Sequence, residues 1–238
     1  MKPLVAHLRL ELTLLARNGE SLLLTLGIPI LLLVFFAKVD VLPIDGKPID
    51  FLAPGVLALA VLSTSFVNLA IATGFEREYG VLKRLGATPL GRPRLLAAKT
   101  LSILVVEVVQ IAVLWTVALA LGWNPSPGIG FVAALVLGTV GCAGLGLCLA
   151  GSLKALVTLA AANGLYLVLL LLSGMVIPLT ELPAAARAVA RALPSGALAE
   201  AVRGTLTAGG SVPTHAWLVL AAWAIAAPAA ATRYFRWE

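Results

Sequence analysis

Charged side chains are scarce in this sequence. Only 12% of its 238 residues are Asp, Glu, Lys or Arg, whereas 61% are hydrophobic, and soluble domains carry about 25% charged residues. A soluble fold with so little charge would expose large apolar patches to water. The composition therefore excludes an ordinary soluble domain and predicts a single domain, residues 1–238, that lies in a membrane.

Residues that commonly form metal sites and catalytic centres are also few. The chain has two cysteines and two histidines. Cys142 and Cys148 are six positions apart, so on a helix they point to different faces, and His7 and His215 lie at opposite ends of the sequence. No metal-ligand cluster and no Ser–His pair is apparent. We therefore expect no metal and no catalytic residues, although a membrane-embedded enzyme stays open as an alternative.

The basic residues do not indicate nucleic-acid binding. The net charge is +6, but aromatic residues make up only 6% of the chain and the basic residues are scattered among apolar runs. In a membrane protein, basic residues mark the cytoplasmic loops. Twelve of the 17 fall on one side if the N-terminus is cytoplasmic. The sequence predicts that both termini are cytoplasmic.

Six apolar runs approach the length of about 20 residues that crosses the hydrocarbon core. They occupy residues 21–37, 54–75, 95–121, 128–151, 155–177 and 214–232. The predicted fold is therefore an all-α integral membrane protein with six transmembrane helices. The fourth run is rich in glycine, which predicts a face where another helix approaches closely.

Two segments outside these runs have helical periodicity without being long enough to cross. Residues 1–20 form an amphipathic pattern, which predicts a helix that lies in the membrane interface. Residues 178–213 predict an external helical hairpin before the last span. Its first helix is expected over residues 183–193, with an interruption at Pro194, Ser195 and Gly196.

The loop at residues 76–94 carries the highest density of charge. Phe75, Tyr79, Leu82 and Leu85 recur at helical spacing, which predicts one amphipathic helix over residues 76–85 with these side chains packed inward. Gly86 suits its C-terminal cap. The helix would present both signs of charge to the cytoplasm, which suits the docking of a soluble partner.

Four polar residues fall within the apolar runs. Glu107 lies midway along the third run, where an ionised carboxylate is costly without a partner, and Gln110 shares its helix face. Asn68 and Asn163 lie in the second and fifth runs. All four are candidates for a substrate path or for a helix interface. The buried glutamate also keeps a proton-coupled secondary carrier open as an alternative.

The charged loop carries a family resemblance. The pattern E-R-E-x-G-x-L-x-x-L-x-x-T-P-L at residues 76–90 resembles the loop between the second and third spans of ABC-2 exporter permeases. That family includes polyketide-antibiotic, nodulation-factor and polysaccharide export permeases. The interfacial helix, the six spans and the helical pair before the last span are similar to the family's architecture over nearly the whole chain.

The resemblance implies a function and a set of partners. The chain would be the permease of an ATP-binding cassette exporter in a bacterial plasma membrane, moving an amphipathic, drug-like or lipid-like substrate outward. The sequence has no G-x-x-x-x-G-K-[ST] motif, so ATP and Mg²⁺ are expected in a separate ATPase subunit, present in two copies. The glycine-rich fourth run and the small six-span unit suggest a second permease chain, identical or homologous. The resemblance assigns ATPase coupling to six residues: Glu76, Arg77, Glu78, Tyr79, Lys83 and Arg84.

Overall fold

The fold is helical wherever the structure describes it. A computed structural model describes residues 13, 19–38, 47–86 and 91–235, and 83% of the structure is helix. No strand occurs in the residues described. The predicted all-α class is therefore confirmed, while the interfacial helix predicted over residues 1–20 falls almost entirely outside the described residues.

The helices are numbered here in chain order. They are α1 Gly19–Lys38, α2 Pro48–Leu62, α3 Leu69–Glu78, α4 Val81–Gly86, α5 Arg92–Ala120, α6 Gly130–Ser152, α7 Ala155–Leu171, α8 Ala184–Ala192, α9 Pro194–Leu206 and α10 Thr214–Tyr234. A π-helical segment, Ser63–Asn68, joins α2 to α3. The two helices and this segment therefore form one continuous helix, Pro48–Glu78, of 31 residues.

In the part of the chain that the structure describes, four helices are long and apolar enough to cross a bilayer. They are Pro48–Glu78, Pro93–Ala120, Gly130–Ser152 and Thr214–Tyr234. Two further apolar helices in the described residues are shorter: Leu26–Lys38, which belongs to α1, and α7. Four of the six predicted runs thus correspond to helices of spanning length.

Two predicted boundaries differ from the structure by six residues each. The fifth run was expected to extend to residue 177, but α7 ends at Leu171 because the chain turns at Gly174, whose φ is +72°. The second run begins at Pro48 rather than at residue 54. Proline is favoured at the first helical position because its missing N–H would be unpaired there in any case.

Helix α6 lies at the centre of the bundle. It packs against α10, α9, α3 and the π-helical segment. Its glycines allow these approaches: an added Cβ on Gly144 would lie 2.5 Å from the Pro228 nitrogen, and one on Gly146 would lie 2.6 Å from the Phe66 carbonyl oxygen. The predicted packing face therefore exists, but its partners belong to the same chain. The glycines give no support for a second permease chain.

The bundle has two ends, named here by the segments that close them. At the loop end, Leu82 is fully buried in a cluster with Leu95, Leu147 and Phe235. At the hairpin end, the chain before α6 pairs with the end of α9, where the Gly128 N–H donates to the Thr205 carbonyl at 2.8 Å. The loop between α3 and α5 and the hairpin of α8 and α9 therefore lie at opposite ends of α6.

The hairpin differs from its prediction at its turn. Pro194, Ser195 and Gly196 do not interrupt a helix but form the first turn of α9. Only Leu193, with extended backbone angles of φ −86° and ψ 147°, separates α8 from α9. Proline again supplies the start of a helix rather than a break.

Arg203 holds the hairpin against the bundle. Its guanidinium donates to the Gly174 carbonyl at 3.0 Å and lies 4.0 Å from the centroid of the Phe51 ring. Burial lowers the pKa of Arg203 to about 10, an effect that the charge of Glu200 opposes. The side chain therefore stays charged at neutral pH and keeps a cation–π contact with α2.

Candidate functional site

The charged loop contains a sharp turn rather than one helix. Helix α3 ends at Glu78, and Gly80 then adopts a φ of +71° before α4 begins at Val81. Glycine is the residue that adopts this left-handed conformation at low cost, and it commonly ends helices. The single helix predicted over residues 76–85 is therefore wrong. Glu76, Arg77 and Glu78 belong to the long helix that begins at Pro48.

Two of the predicted coupling residues have partners inside the chain. The Glu76 carboxylate lies 2.6 Å from the Lys99 ammonium, and the Lys99 side chain is only 1% exposed. Arg77 donates through Nη2 to the Leu153 carbonyl at the end of α6. An ion pair in such a position is expensive to break because the remaining charge stays buried. Glu76 and Arg77 therefore fix the base of the loop to α5 and α6.

The other predicted coupling residues lie on the surface. Glu78, Lys83 and Arg84 are exposed, and Tyr79 is 70% exposed. Tyr79 was predicted to pack inward, but the turn rotates it outward, where its ring stacks on Phe75 with a centroid distance of 6.0 Å. The Leu85 side chain lies outside the described residues.

One buried leucine holds the exposed segment in place. Leu82 is fully buried between Glu78 and Arg84, as its spacing predicted. Its burial fixes α4 on the bundle while the charged residues on either side stay exposed. We name the segment formed by residues 78–84 the charged turn.

A second group of polar residues lies inside the bundle. Glu107 and Gln110, predicted to share a face of α5, are 2% and 1% exposed. The Thr139 hydroxyl of α6 donates to Glu107 Oε2 at 2.5 Å, and the Thr64 hydroxyl donates to Gln110 Oε1 at 2.9 Å. This polar cluster therefore joins α5 to α6 and to the π-helical segment.

The other two predicted polar residues are more exposed than this cluster. Asn163 is exposed on α7, and its side chain donates to the Leu159 carbonyl of its own helix at 2.8 Å. Asn68 is half-buried at the end of the π-helical segment. The structure therefore brings together two of the four predicted residues and leaves Asn163 facing away from the chain's interior.

Sequence reasoning missed the partners of these residues. Lys99 is one of the twelve basic residues that the charge count assigned to the cytoplasmic side. Thr64 and Thr139 have no distinguishing pattern in an apolar run. A signal for Lys99 was present, because a lysine that follows several apolar positions on a helix needs an acidic partner when it is buried. No comparable signal marks the threonines, since threonine is common in transmembrane helices where its hydroxyl can bond to its own backbone.

The π-helical segment was also not predicted. It contributes Thr64 to the polar cluster, and the Phe66 carbonyl meets Gly146 of α6. A π-helical turn holds an extra residue and is frequently found at functional sites. It places a change of helical register beside the buried polar side chains.

These features define a class of protein, an all-α membrane protein. Its buried polar groups lie inside an apolar helical bundle, and its charged turn lies at one end of that bundle. The sequence model of the ABC-2 type transporter family matches residues 4–207. This match covers well over half of the chain, which belongs to the ABC-2 type transporter family. A search of curated proteins finds no match.

Proposed function

We propose that this chain is the membrane subunit of an ATP-binding cassette exporter and that the charged turn docks its ATPase. Membership in the ABC-2 family makes it a transport permease. The proposed docking of the ATPase is supported by a contrast within the loop. Glu76 and Arg77 are bound to α5 and to the end of α6, whereas Glu78, Lys83 and Arg84 are exposed on a segment that Leu82 fixes in place. A fixed, charged and exposed segment is suited to the recognition of a soluble subunit.

The proposed topology has six spans. The 20 residues of α1 and the 17 residues of α7 fall within the range of about 17–25 residues that crosses a bilayer, and they add two spans to the four of clear length. The excess of basic residues at the loop end supports a cytoplasmic position for that end and for both termini. Residues 76–94 then form the cytoplasmic coupling loop, and residues 178–213 form the external hairpin of a bacterial plasma-membrane protein.

The working complex that we propose contains two permease chains and two ATPase chains. Six spans enclose too little space for a large substrate, and the exposed face of α7 with Asn163 offers a surface for the second chain or for the substrate. ATP and Mg²⁺ bind to the ATPase chains. The cargo proposed is an amphipathic molecule, because the helices present apolar side chains with few polar ones.

The test is a charge reversal in the charged turn. Glu78→Lys changes an exposed residue, so insertion and folding should be unaffected. Like-charge contacts across an interface cost several kcal/mol, so co-purification of the ATPase and its stimulated hydrolysis should fall at least about tenfold. Glu76 is not suited to this test because its reversal would place a second cation beside the buried Lys99.

The matched control is Glu181→Lys, the same reversal at an exposed residue at the hairpin end. It should leave both ATPase association and hydrolysis at the wild-type level. Normal association and stimulation in the Glu78→Lys permease would show that the charged turn is only a topological anchor.

A further inference from the structure

An open cavity of about 640 Å³ lies at the loop end, between the charged turn and the start of α7. One wall comes from Arg77, Glu78, Gly80 and Lys83, and the other from Lys154 and the first turn of α7. None of these residues belongs to the buried polar cluster. The charged turn supplies part of one wall, but the coupling proposal does not explain the opposite wall from Lys154 and α7.

The polar part of the cavity favours an anion. Three basic side chains and one acidic side chain line it. Arg77 uses Nη2 to bind the Leu153 carbonyl, while its Nη1 is buried and has no hydrogen-bond partner in the described part of the chain. A buried guanidinium nitrogen without an acceptor is costly, and a bound anion would supply the acceptor.

The start of α7 adds backbone donors to the same wall. The first N–H groups of a helix have no acceptor within the helix, and they carry the positive end of its dipole. Lys154 occupies the N-cap position of α7, and a lysine side chain has no oxygen that could accept their hydrogen bonds. Phosphate groups commonly bind at such positions.

The rest of the cavity is apolar and leads onto the side of the bundle. Leu156 is 69% exposed and Val157 is 50% exposed, and both continue into the exposed apolar face of α7. The site therefore combines a wall suited to an anion with an exposed apolar surface. This surface begins at Leu156, two residues after Lys154. A segment of a soluble protein would match the first part but not the second, because α7 continues into the membrane.

We propose that this cavity binds an anionic phospholipid. The headgroup phosphate lies among Lys154, Arg77 and the N-terminus of α7, and an acyl chain lies along Leu156 and Val157. The proposed topology places this lipid in the cytoplasmic leaflet, and in that respect the inference rests on the proposed function. Glu78 and Lys83 line the cavity and also belong to the charged turn that we propose docks the ATPase, so the lipid would form part of the docking surface.

The experiment measures lipid binding to the permease alone. Purified, delipidated permease is titrated with phosphatidylglycerol or with phosphatidylcholine of the same acyl chains, and bound lipids are counted by native mass spectrometry. Wild-type protein should bind phosphatidylglycerol at least about tenfold more tightly. Both headgroups contain a phosphate, so the preference depends on their net charge. Lys154→Ala should reduce it about tenfold, because the lost cation both attracts the anionic headgroup and repels the choline ammonium. Lys154 is exposed, so the variant should fold normally.

Two further variants test the two parts of the site. Lys47→Ala, which removes an exposed lysine at the hairpin end, should leave the lipid preference unchanged. Leu156→Gln should weaken the binding of both phospholipids while leaving the preference for the anionic one.

Four results would overturn the proposal. Equal binding of the two lipids, or an unchanged preference in Lys154→Ala, would show that no anionic lipid is selected here. Displacement of phosphatidylglycerol by glycerol phosphate at similar concentration would identify a site for free phosphate compounds. Loss of ATPase association in Lys154→Ala with unchanged lipid binding would assign the cavity to the ATPase. Since the lipid assay contains no ATPase, its outcome is independent of the coupling test.

Discussion

Helices α6 and α7 follow each other directly and are both strongly apolar, yet they are buried to very different extents. In α6, Gly138, Gly141 and Gly144 are buried against neighbouring helices. In α7, Leu156 and Leu171 are 69% and 63% exposed. Two helices that a hydropathy scan would treat alike therefore have opposite positions in the fold.

The difference follows from the size of the side chains rather than from their hydropathy. Lipid tails are as apolar as leucine, so leucine gains little by moving from lipid to protein, whereas small residues let helix backbones approach closely. The glycines of α6 therefore select a central position. The leucines and valines of α7 are suited to lipid or to a second chain.

The largest expected effect comes from enlarging a glycine of α6. In Gly144→Leu the new Cβ would lie 2.5 Å from the backbone nitrogen of Pro228, so α6 and α10 would have to separate. We expect a loss of about 3 kcal/mol or more in unfolding free energy, measured by steric trapping in detergent micelles.

The matched variant on α7 is Gly164→Leu, whose added Cβ would have no neighbour within 4 Å among the described residues. It should be neutral or slightly stabilising, because leucine favours helix more than glycine does. Equal destabilisation by the two variants would refute the contrast between the helices.

A smaller effect is expected within α7 itself. Leu169 is 3% exposed and packs in the main core cluster, whereas Leu167 is 57% exposed. Leu169→Ala should cost about 2 kcal/mol, since it leaves a cavity, and Leu167→Ala should change stability by less than about 0.5 kcal/mol. Thermal unfolding of the two purified variants measures the difference. A clear loss of stability in monomeric Leu167→Ala would contradict the exposure of Leu167 on the surface of the bundle.

The smallest effect is expected in the polar cluster. Thr139→Val keeps the shape of the side chain and removes the hydroxyl that binds Glu107. Hydrogen bonds between transmembrane helices contribute about 0.6 kcal/mol on average, so a loss of that order is expected in the same unfolding assay. Thr116→Val is the control because the exposed Thr116 hydroxyl donates only to the Ala112 carbonyl of its own helix. A larger loss of unfolding free energy in Thr116→Val than in Thr139→Val would show that the hydrogen bond between Thr139 and Glu107 is not the stabilising contact.

Hydropathy and helical spacing predict the parts of this molecule that depend on local sequence. The apolar runs locate the helices, and the spacing of Glu107 and Gln110 predicts their shared face, which the structure buries. Leu82 is likewise buried as its spacing predicts.

What the sequence did not predict depends on contacts between distant segments. Glu76 and Lys99 pair across 22 intervening residues, and the helical spacing around Gly80 continues through the position where the backbone turns. The exposure of Asn163 depends on which neighbours α7 lacks within this chain. Periodicity describes one helix at a time, so it contains no information about these contacts.

The ion pair between Glu76 and Lys99 has a mechanical consequence. It joins the two helices from which the charged loop emerges, one residue of the pair on each side of the loop. Because the ion pair holds the two ends of the loop together, a force on the loop is passed to the helices instead of being lost in movement of the loop. A load applied to α4 would therefore be shared by α3 and α5, which the ion pair joins at the base of the loop.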